Sequence, residues 1–127
     1  MRTAPTHVSD YDGIANVVQQ YIESARSGSG DAMRPAFHGD ATIFGYIAGD
    51  LLAGPIEQLF AWNDDNGPAP GLRARIASID LIDTVATVRL ELDDWTGHRF
   101  TDLFTLLKID REWKIVNKVF HLHSSGE

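Results

Sequence analysis

Three side chains that could transfer protons stand among apolar neighbours in this chain of 127 residues: Tyr21, Asp102 and His121. Tyr21 belongs to a segment whose apolar residues recur every three or four positions, which is typical of one face of a helix. A hydroxyl on the buried face needs a hydrogen-bonding partner, and that partner is either a ligand or ordinary backbone or water. Tyr21 is therefore a candidate proton donor.

Asp102 lies between Phe100 on one side and Leu103 and Phe104 on the other. Burial on an apolar strand face would raise the pKa of this carboxyl group, unless a cation or a hydrogen-bond donor compensates. Perturbed acids in pockets are candidate catalysts. A salt bridge with Lys118, or with an arginine of a neighbouring strand, is the alternative.

His121 and His123 are two residues apart, so they share one face of a strand. Because imidazole titrates near neutral pH, His121 is a candidate general base. Two histidines on one face could also bind a metal together with a third ligand, but no recognised zinc spacing occurs. We therefore expect neither a metal site nor a cofactor.

Aromatic residues and one lysine are expected to line a ligand cavity. Clusters of this kind more often form a core, but binding pockets are themselves mostly apolar with a few polar groups. The predicted lining residues are Phe44, Trp62, Phe104, Lys118 and Phe120.

The first half of the chain predicts helices and one strand. Ser9 or Asp10 could cap a first helix that ends at the Ser-Gly-rich residues 27–31, and a short second helix is expected at about 32–37. A strand is predicted at 41–47, followed by a third helix with Pro55 at its first position.

After the loop at residues 66–71 the apolar period changes to two, which predicts strands at 72–82, 84–94, 98–109 and 113–123. The short connections imply antiparallel neighbours. Helices followed by a meander predict an α+β fold, with the helices packed on one face of a curved, mainly antiparallel sheet. We expect residues 1–8 to be a flexible tail and 9–127 to form one domain.

The composition limits the kinds of partner that this chain is expected to bind. The formal net charge is -7, from 18 acidic and 11 basic residues, and no basic patch is visible, so we expect no nucleic-acid partner. The chain has no cysteine, no signal-peptide pattern and no apolar stretch of membrane-spanning length. A cytoplasmic protein without a membrane partner is the expectation.

Several motifs resemble the nuclear transport factor 2-like superfamily, a cone-shaped α+β fold that includes SnoaL-like proteins and ketosteroid isomerases. The resemblance spans about residues 9–124 and depends on "VVQQYIESARSGSGDAM", "FHGDATI", "LAGPIEQLF" and "DLFTLLKIDREWKIVNKVFH". The last motif is most similar to the branch described as "Putative lumazine-binding". Because this fold hosts many activities, the resemblance implies the fold more strongly than the function.

The resemblance to ketosteroid isomerases extends to only part of their catalytic set. Tyr21 matches their oxyanion-donor tyrosine, but Gly45 stands where their aspartate base should be. The position of their protonated aspartate falls near Thr105, and on Asp102 only if a gap is allowed. Steroid isomerase activity is therefore not expected.

Three functions remain, of which we prefer the first and take the second as its alternative. The first is a binding domain that holds a small apolar or aromatic molecule in the cone. The second is an isomerase, dehydratase or cyclase in which Tyr21 acts with Asp102 or His121. A structural partner protein is the third. For each we expect a homodimer formed through the uncovered sheet face.

The register of the last hairpin decides which residue faces Asp102. A two-residue loop at Arg111–Glu112 would place His121 opposite Asp102, whereas a loop at 110–112 would place Phe120 there with Lys118 as a diagonal neighbour. We predict the first register, because it gives the imidazole of His121 an acidic partner inside the cone.

Overall fold

The computed structural model describes residues 7–125, and the side chains of residues 8–123. Its helices are α1 (His7–Ser27), α2 (Gly30–Met33) and α3 (Glu57–Asn66), with a 3-10 turn at Arg34–Ala36 between α2 and the first strand. His7 and Val8, which were predicted to belong to the tail, are helical. The remainder of that predicted tail, residues 1–6, lies outside the described residues.

The apolar stripe of α1 packs against the sheet, as its spacing predicted. Ile14, Val18, Tyr21, Ile22 and Ala25 are all buried. Their successive separations of four, three, one and three residues place them on one side of the helix. Burial of this face fixes the orientation of Tyr21 toward the sheet.

The sheet has six strands, β1 (Phe37–Ile47), β2 (Asp50–Pro55), β3 (Arg73–Ile82), β4 (Val85–Trp95), β5 (His98–Ile109) and β6 (Glu112–Ser125). Their order across the sheet is β2-β1-β6-β5-β4-β3. Neighbouring strands are antiparallel, except that β1 runs parallel to β6. The predicted α+β class, with helices on a curved and mainly antiparallel sheet, is confirmed.

Strand β2 was not predicted. It pairs with β1 from Ile47↔Asp50 to Thr42↔Pro55, so Pro55 ends a strand, and the prediction that it begins α3 was wrong. Pro55 is tolerated there because β2 is an edge strand.

The turn between β5 and β6 differs from both predicted loops. Ile109 pairs with Glu112, so the turn residues are Asp110 and Arg111, which both have positive φ angles of 51° and 70°. These positive φ angles are typical of the two-residue hairpin turns whose backbone twist matches the twist of the flanking strands.

A β-bulge on β6 then changes the register. Leu106 pairs with Ile115, whereas Thr105 pairs with Asn117, so Val116 is the extra residue. Beyond the bulge Asp102 pairs with Phe120, and the predicted pairing with His121 was wrong. The physical reason is that the tighter turn and the extra residue together shift the strand by one position, which exchanges its two faces.

Within the described part of the chain, no helix is long and apolar enough to cross a membrane.

Candidate functional site

Three polar side chains form a buried cluster between α1 and the sheet. The Tyr21 hydroxyl donates a 2.8 Å hydrogen bond to Asp102 Oδ2, and Lys118 Nζ donates a 2.8 Å hydrogen bond to the Tyr21 hydroxyl. Lys118 Nζ also lies 3.5 Å from Asp102 Oδ2. The exposed fractions are 0% for Tyr21, 0% for Asp102 and 3% for Lys118, so water does not screen these charges. We call these three residues the polar cluster.

Each member is placed by the pattern of its element. Tyr21 lies on the buried stripe of α1, and Asp102 alternates with Phe100 and Phe104 on the inner face of β5. Lys118 faces inward only because the bulge at Val116 puts the side chains of Ile115 and Lys118, three positions apart, on the same face. The arrangement joins three elements that are far apart in sequence.

Burial dominates the acid–base properties of the cluster. Loss of hydration raises the pKa of Asp102, although the neighbouring Lys118 ammonium and the Tyr21 hydroxyl oppose this change. Loss of hydration likewise lowers the pKa of Lys118, against the attraction of Asp102. Desolvation and the Asp102 carboxylate together raise the pKa of Tyr21 well above its usual value. Both shifts in the Asp102–Lys118 pair disfavour the charged form of each group.

A cavity adjoins the cluster at Lys118. Its volume is about 20 Å³, which is room for about one water molecule. Except for Lys118, the lining is aliphatic or aromatic: Ile43, Ile47, Leu52, Leu59, Trp62, Trp95, Phe100 and Phe120. Lys118 is therefore the charged group that an occupant of this cavity would meet.

Two buried polar atoms in this region have no hydrogen-bond partner among the described residues. They are Nε1 of Trp95, which lines the cavity, and Oδ1 of Asp102. A buried donor or acceptor without a partner costs about 1–3 kcal/mol. The indole N–H of Trp95 is therefore a donor that an occupant of the cavity could satisfy, whereas Asp102 is not among the lining residues.

An open groove lies outside the cavity. It has a volume of about 490 Å³, and Ile47, Leu52 and Trp62 line both the groove and the inner cavity. Two carboxylates, Asp50 and Asp65, also line the groove. Movement of the three shared side chains would join the two spaces.

The predicted lining residues divide into three groups. Trp62, Lys118 and Phe120 line the cavity. Phe104 is buried against Tyr21, with the ring centroids 5.1 Å apart, and is not among the lining residues. Phe44 is 43% exposed on the outer face of β1, so its prediction as a lining residue was wrong. The reason is that side chains alternate between the two faces of a strand. Ile43 and Gly45 take the inner positions of β1, so Phe44 lies on the outer face.

His121 does not belong to the polar cluster. It is exposed and pairs with Thr101 on the outer face of the sheet, opposite to the face of Asp102. Its ring lies 4.6 Å from that of His123, whose Nε2 is 2.8 Å from Thr101 Oγ1. The His121–Asp102 pair, and the enzyme hypothesis that used His121 as a base, are therefore wrong.

Gly45 is explained by the ring of Phe120. A β-carbon at position 45 would lie 2.5 Å from that ring, which packs over the bare backbone of β1. An aspartate at this position, as in ketosteroid isomerases, would collide with Phe120. The aromatic ring thus takes the space that a base would need.

Trp95 was not predicted as a site residue, because the sequence "WTG" was assigned to a turn. The structure places Trp95 at the end of β4, 1% exposed and with its ring centroid 5.2 Å from that of Trp62. Strict alternation from Leu92 would have placed residue 94 inward and Trp95 outward. The irregularity between Leu92 and Trp95 turns Trp95 inward, and the sequence did not reveal it.

Among the described residues, no group of three or more His, Asp or Glu side chains could hold a metal ion.

Comparisons with known proteins agree with this fold. The family model described as "Putative lumazine-binding" matches residues 9–121. The chain is 32% identical over 114 residues to "Aldolase FrzH" of Cladobotryum sp, which covers 89% of this chain and 91% of that protein.

Two crystal structures of nuclear transport factor 2-like proteins of unknown function are also similar. The protein from Methylobacillus flagellatus KT is 49% identical, with a TM-score of 0.91 and coverage of 98% of this chain and 100% of that one. The protein from Shewanella baltica OS155 is 41% identical, with a TM-score of 0.91 and coverage of 96% and 100%. The chain therefore belongs to the "Putative lumazine-binding" family of nuclear transport factor 2-like proteins.

Proposed function

We propose that this protein binds a small, mainly apolar or aromatic molecule in the cavity beside Lys118, with one polar group of the ligand held by the polar cluster. The observation that supports this most is the burial of a carboxyl group, an amine and a phenol beside an apolar cavity. Burying an ion pair costs several kcal/mol per ion, and apolar residues of similar volume often give equal or greater stability. The cluster is therefore better explained by recognition than by stability.

The ligand class follows from the lining. Aromatic and aliphatic walls favour a flat or apolar body, while the Lys118 amine and the Trp95 indole favour an oxygen acceptor at its inner end. The family description names lumazine, a bicyclic heteroaromatic compound with two carbonyl oxygens, which has this chemistry. Because the closed cavity is small, binding requires Ile47, Leu52 and Trp62 to move toward the outer groove.

An enzyme is the second candidate, and one observation favours it. The fungal relative that is 32% identical is named an aldolase, and aldol chemistry needs groups that move protons next to a carbonyl. Tyr21, Asp102 and Lys118 could supply such groups. Loss of activity in both Tyr21→Phe and Asp102→Asn, with folding intact, would favour catalysis over binding alone.

A thermal-unfolding screen tests the binding proposal. Pterins including lumazine, flavins, steroids and small carboxylic acids are added to the wild-type protein and to Lys118→Met. A ligand at 100 times its dissociation constant should stabilise the wild type by about 2.7 kcal/mol.

The matched control is Lys114→Met, because Lys114 lies on the other face of β6 and hydrogen-bonds to the Pro35 carbonyl. We expect this variant to respond like the wild type and Lys118→Met to respond much less. No stabilisation by any compound class, or equal stabilisation of Lys118→Met, would contradict the proposal.

A further inference from the structure

Lys118 is an unusual lysine because its amine is held in an apolar, aromatic environment. Its Nζ lies 5.2 Å from the ring centroid of Tyr21 and 5.4 Å from those of Trp95 and Phe120. The side chain is 3% exposed, and it lines the cavity. Lysines in hydrophobic pockets are the ones that proteins use as amine nucleophiles.

The charged neighbours of this amine are few. From α1 it meets the hydroxyl of Tyr21, and from β5 it meets the carboxyl group of Asp102. The side chains that β1, β2, β4 and α3 contribute to the cavity are aliphatic or aromatic, and so is Phe120 on β6 itself. The carboxyl group of Asp102 is thus the nearby counter-charge of the amine. It opposes the energetic cost of removing the Lys118 ammonium from water.

The protonation state required of a nucleophile is consistent with this environment. Burial lowers the pKa of Lys118 and raises that of Asp102, which moves the proton of the pair from the amine toward the carboxyl group. A neutral amine has two N–H bonds and one lone pair. Tyr21 and Asp102 lie within reach of the two N–H groups, which leaves the lone pair for an electrophile.

We propose that Lys118 forms a Schiff base with an aldehyde or ketone bound in the cavity, and that Tyr21 and Asp102 position the amine and exchange protons with it. This inference rests on the proposed small-molecule site and names its ligand class as a carbonyl compound. The geometry that supports it is an amine at the wall of an aromatic cavity, with a phenol 2.8 Å from the nitrogen and a carboxylate oxygen 3.5 Å from it.

The reaction is balanced without an oxidant or a reductant. The nitrogen lone pair forms a bond to the carbonyl carbon, and the π electrons of the C=O bond move to oxygen. The carbon–oxygen bond then breaks, the nitrogen forms a second bond to carbon, and water leaves. The two protons that the amine loses equal the two that the water gains, and the hydrogen-bonded Tyr21 and Asp102 can relay them.

Reductive trapping tests the inference on the 127-residue chain. Benzaldehyde is added with sodium cyanoborohydride, which reduces a Schiff base to a stable benzyl amine, and peptide mapping by mass spectrometry locates the label. The chain has only three lysines, Lys108, Lys114 and Lys118, so the other two serve as internal controls.

We expect Lys118 to be labelled faster than Lys114 near neutral pH, because burial lowers the pKa of Lys118 and so raises the fraction of this amine that is neutral. Lys118→Met should lose this fast label, whereas Lys114→Arg should keep it. The comparison among lysines in the wild type holds even if Lys118→Met fails to fold.

Binding is measured in parallel with benzyl alcohol, which has the same ring but no carbonyl group. Stabilisation by benzyl alcohol together with slow or equal labelling of the three lysines would overturn the Schiff-base inference and leave the binding proposal standing. No preferred label, together with no stabilisation by either compound or by any compound class of the thermal screen, would overturn both.

Discussion

The hydroxyl of Tyr21 accepts a hydrogen bond from Lys118 and donates one to Asp102, so the three residues behave as one titrating unit. None of the three is exposed enough for water to take the place of a lost partner. Removal of one member therefore leaves the others buried with an unmatched charge or an unmet hydrogen bond.

This coupling predicts strongly non-additive stability changes. Lys118→Met and Asp102→Leu should each lower the free energy of unfolding by about 1–3 kcal/mol, because each leaves a buried polar group without its hydrogen-bonding partner. The double variant should lose far less than the sum of the two, because it leaves neither group buried without its partner. Chemical denaturation of the four proteins measures the cycle, and additive losses would show that the two residues do not interact.

The raised pKa of Tyr21 predicts a loss of stability at high pH. An unfolded tyrosine ionises near pH 10, whereas burial and Asp102 keep the folded hydroxyl protonated to higher pH. The folded state then binds more protons than the unfolded state, so stability falls above about pH 10, by at most about 1.4 kcal/mol per pH unit.

The comparison of wild type with Tyr21→Phe isolates this effect. The stability advantage of the wild type should shrink as the pH rises above the unfolded value, while Tyr46→Phe, which removes a hydroxyl from a 64% exposed residue, should behave as the wild type does. Urea denaturation between pH 8.5 and about 11 covers this window. An advantage that stays constant across it would contradict the assignment.

The bulge at Val116 decides which side chains of β6 reach the cavity. A strand without it would keep strict alternation from Ile115, and residues 117, 119 and 121 would face inward in place of Lys118 and Phe120. The sequence predicts β5 and β6 from their alternation. It does not reveal an added residue, because a bulge depends on hydrogen bonds to strands on both sides.

The dependence of strand pairing on distant parts of the chain also explains the other differences between the predicted and the observed structure. The helical stripe that contains Tyr21 and the strand that contains Asp102 were both predictable, because each depends on local periodicity. Strand β2 was missed because "DLLAGP" is short and ends in Gly-Pro, and its pairing with β1 is what makes it a strand. Phe44 and His121 were assigned to the wrong face of the sheet, because an error of one residue in the register moves a side chain to the opposite face.

The turn at Asp110–Arg111 gives a direct test of the hairpin geometry. Arg111→Gly should raise the free energy of unfolding by about 0.5–1 kcal/mol, because a left-handed conformation strains an L-residue more than glycine's extra flexibility costs. Glu112→Gly should lower it by a similar amount, about 0.5–1 kcal/mol, since Glu112 is in β6. Thermal or chemical denaturation distinguishes the two variants, and stabilisation by Glu112→Gly as well as by Arg111→Gly would place the turn one residue later.

The outer face of the sheet is not covered by the helices and carries exposed apolar side chains. Phe44, Val119 and Leu103 are adjacent across β1, β6 and β5, and their exposed fractions are 43%, 42% and 52%. Burial of such a row against a second copy would stabilise the pair by about 25 cal/mol per Å² of apolar area. The proposal that follows is a homodimer formed through this face.

Light scattering at micromolar concentration should therefore give the mass of a dimer, and Leu103→Lys should shift it toward the monomer. The control is Ile82→Lys, which changes a residue that is 77% exposed at the end of β3 and should leave the dimer intact. A wild-type protein that is monomeric at that concentration would refute the dimer.

The occupied cavity can be observed through the lysines themselves. In protein labelled with ¹³C-lysine, the side chains of Lys108, Lys114 and Lys118 give the lysine signals, and the compound that stabilises the protein most is titrated in while they are recorded by NMR. We expect the Lys118 signal to move in proportion to occupancy while the Lys114 signal stays in place. Saturable changes at Lys108 or Lys114, with Lys118 unmoved, would show that the ligand does not bind against the buried Tyr21–Asp102–Lys118 cluster.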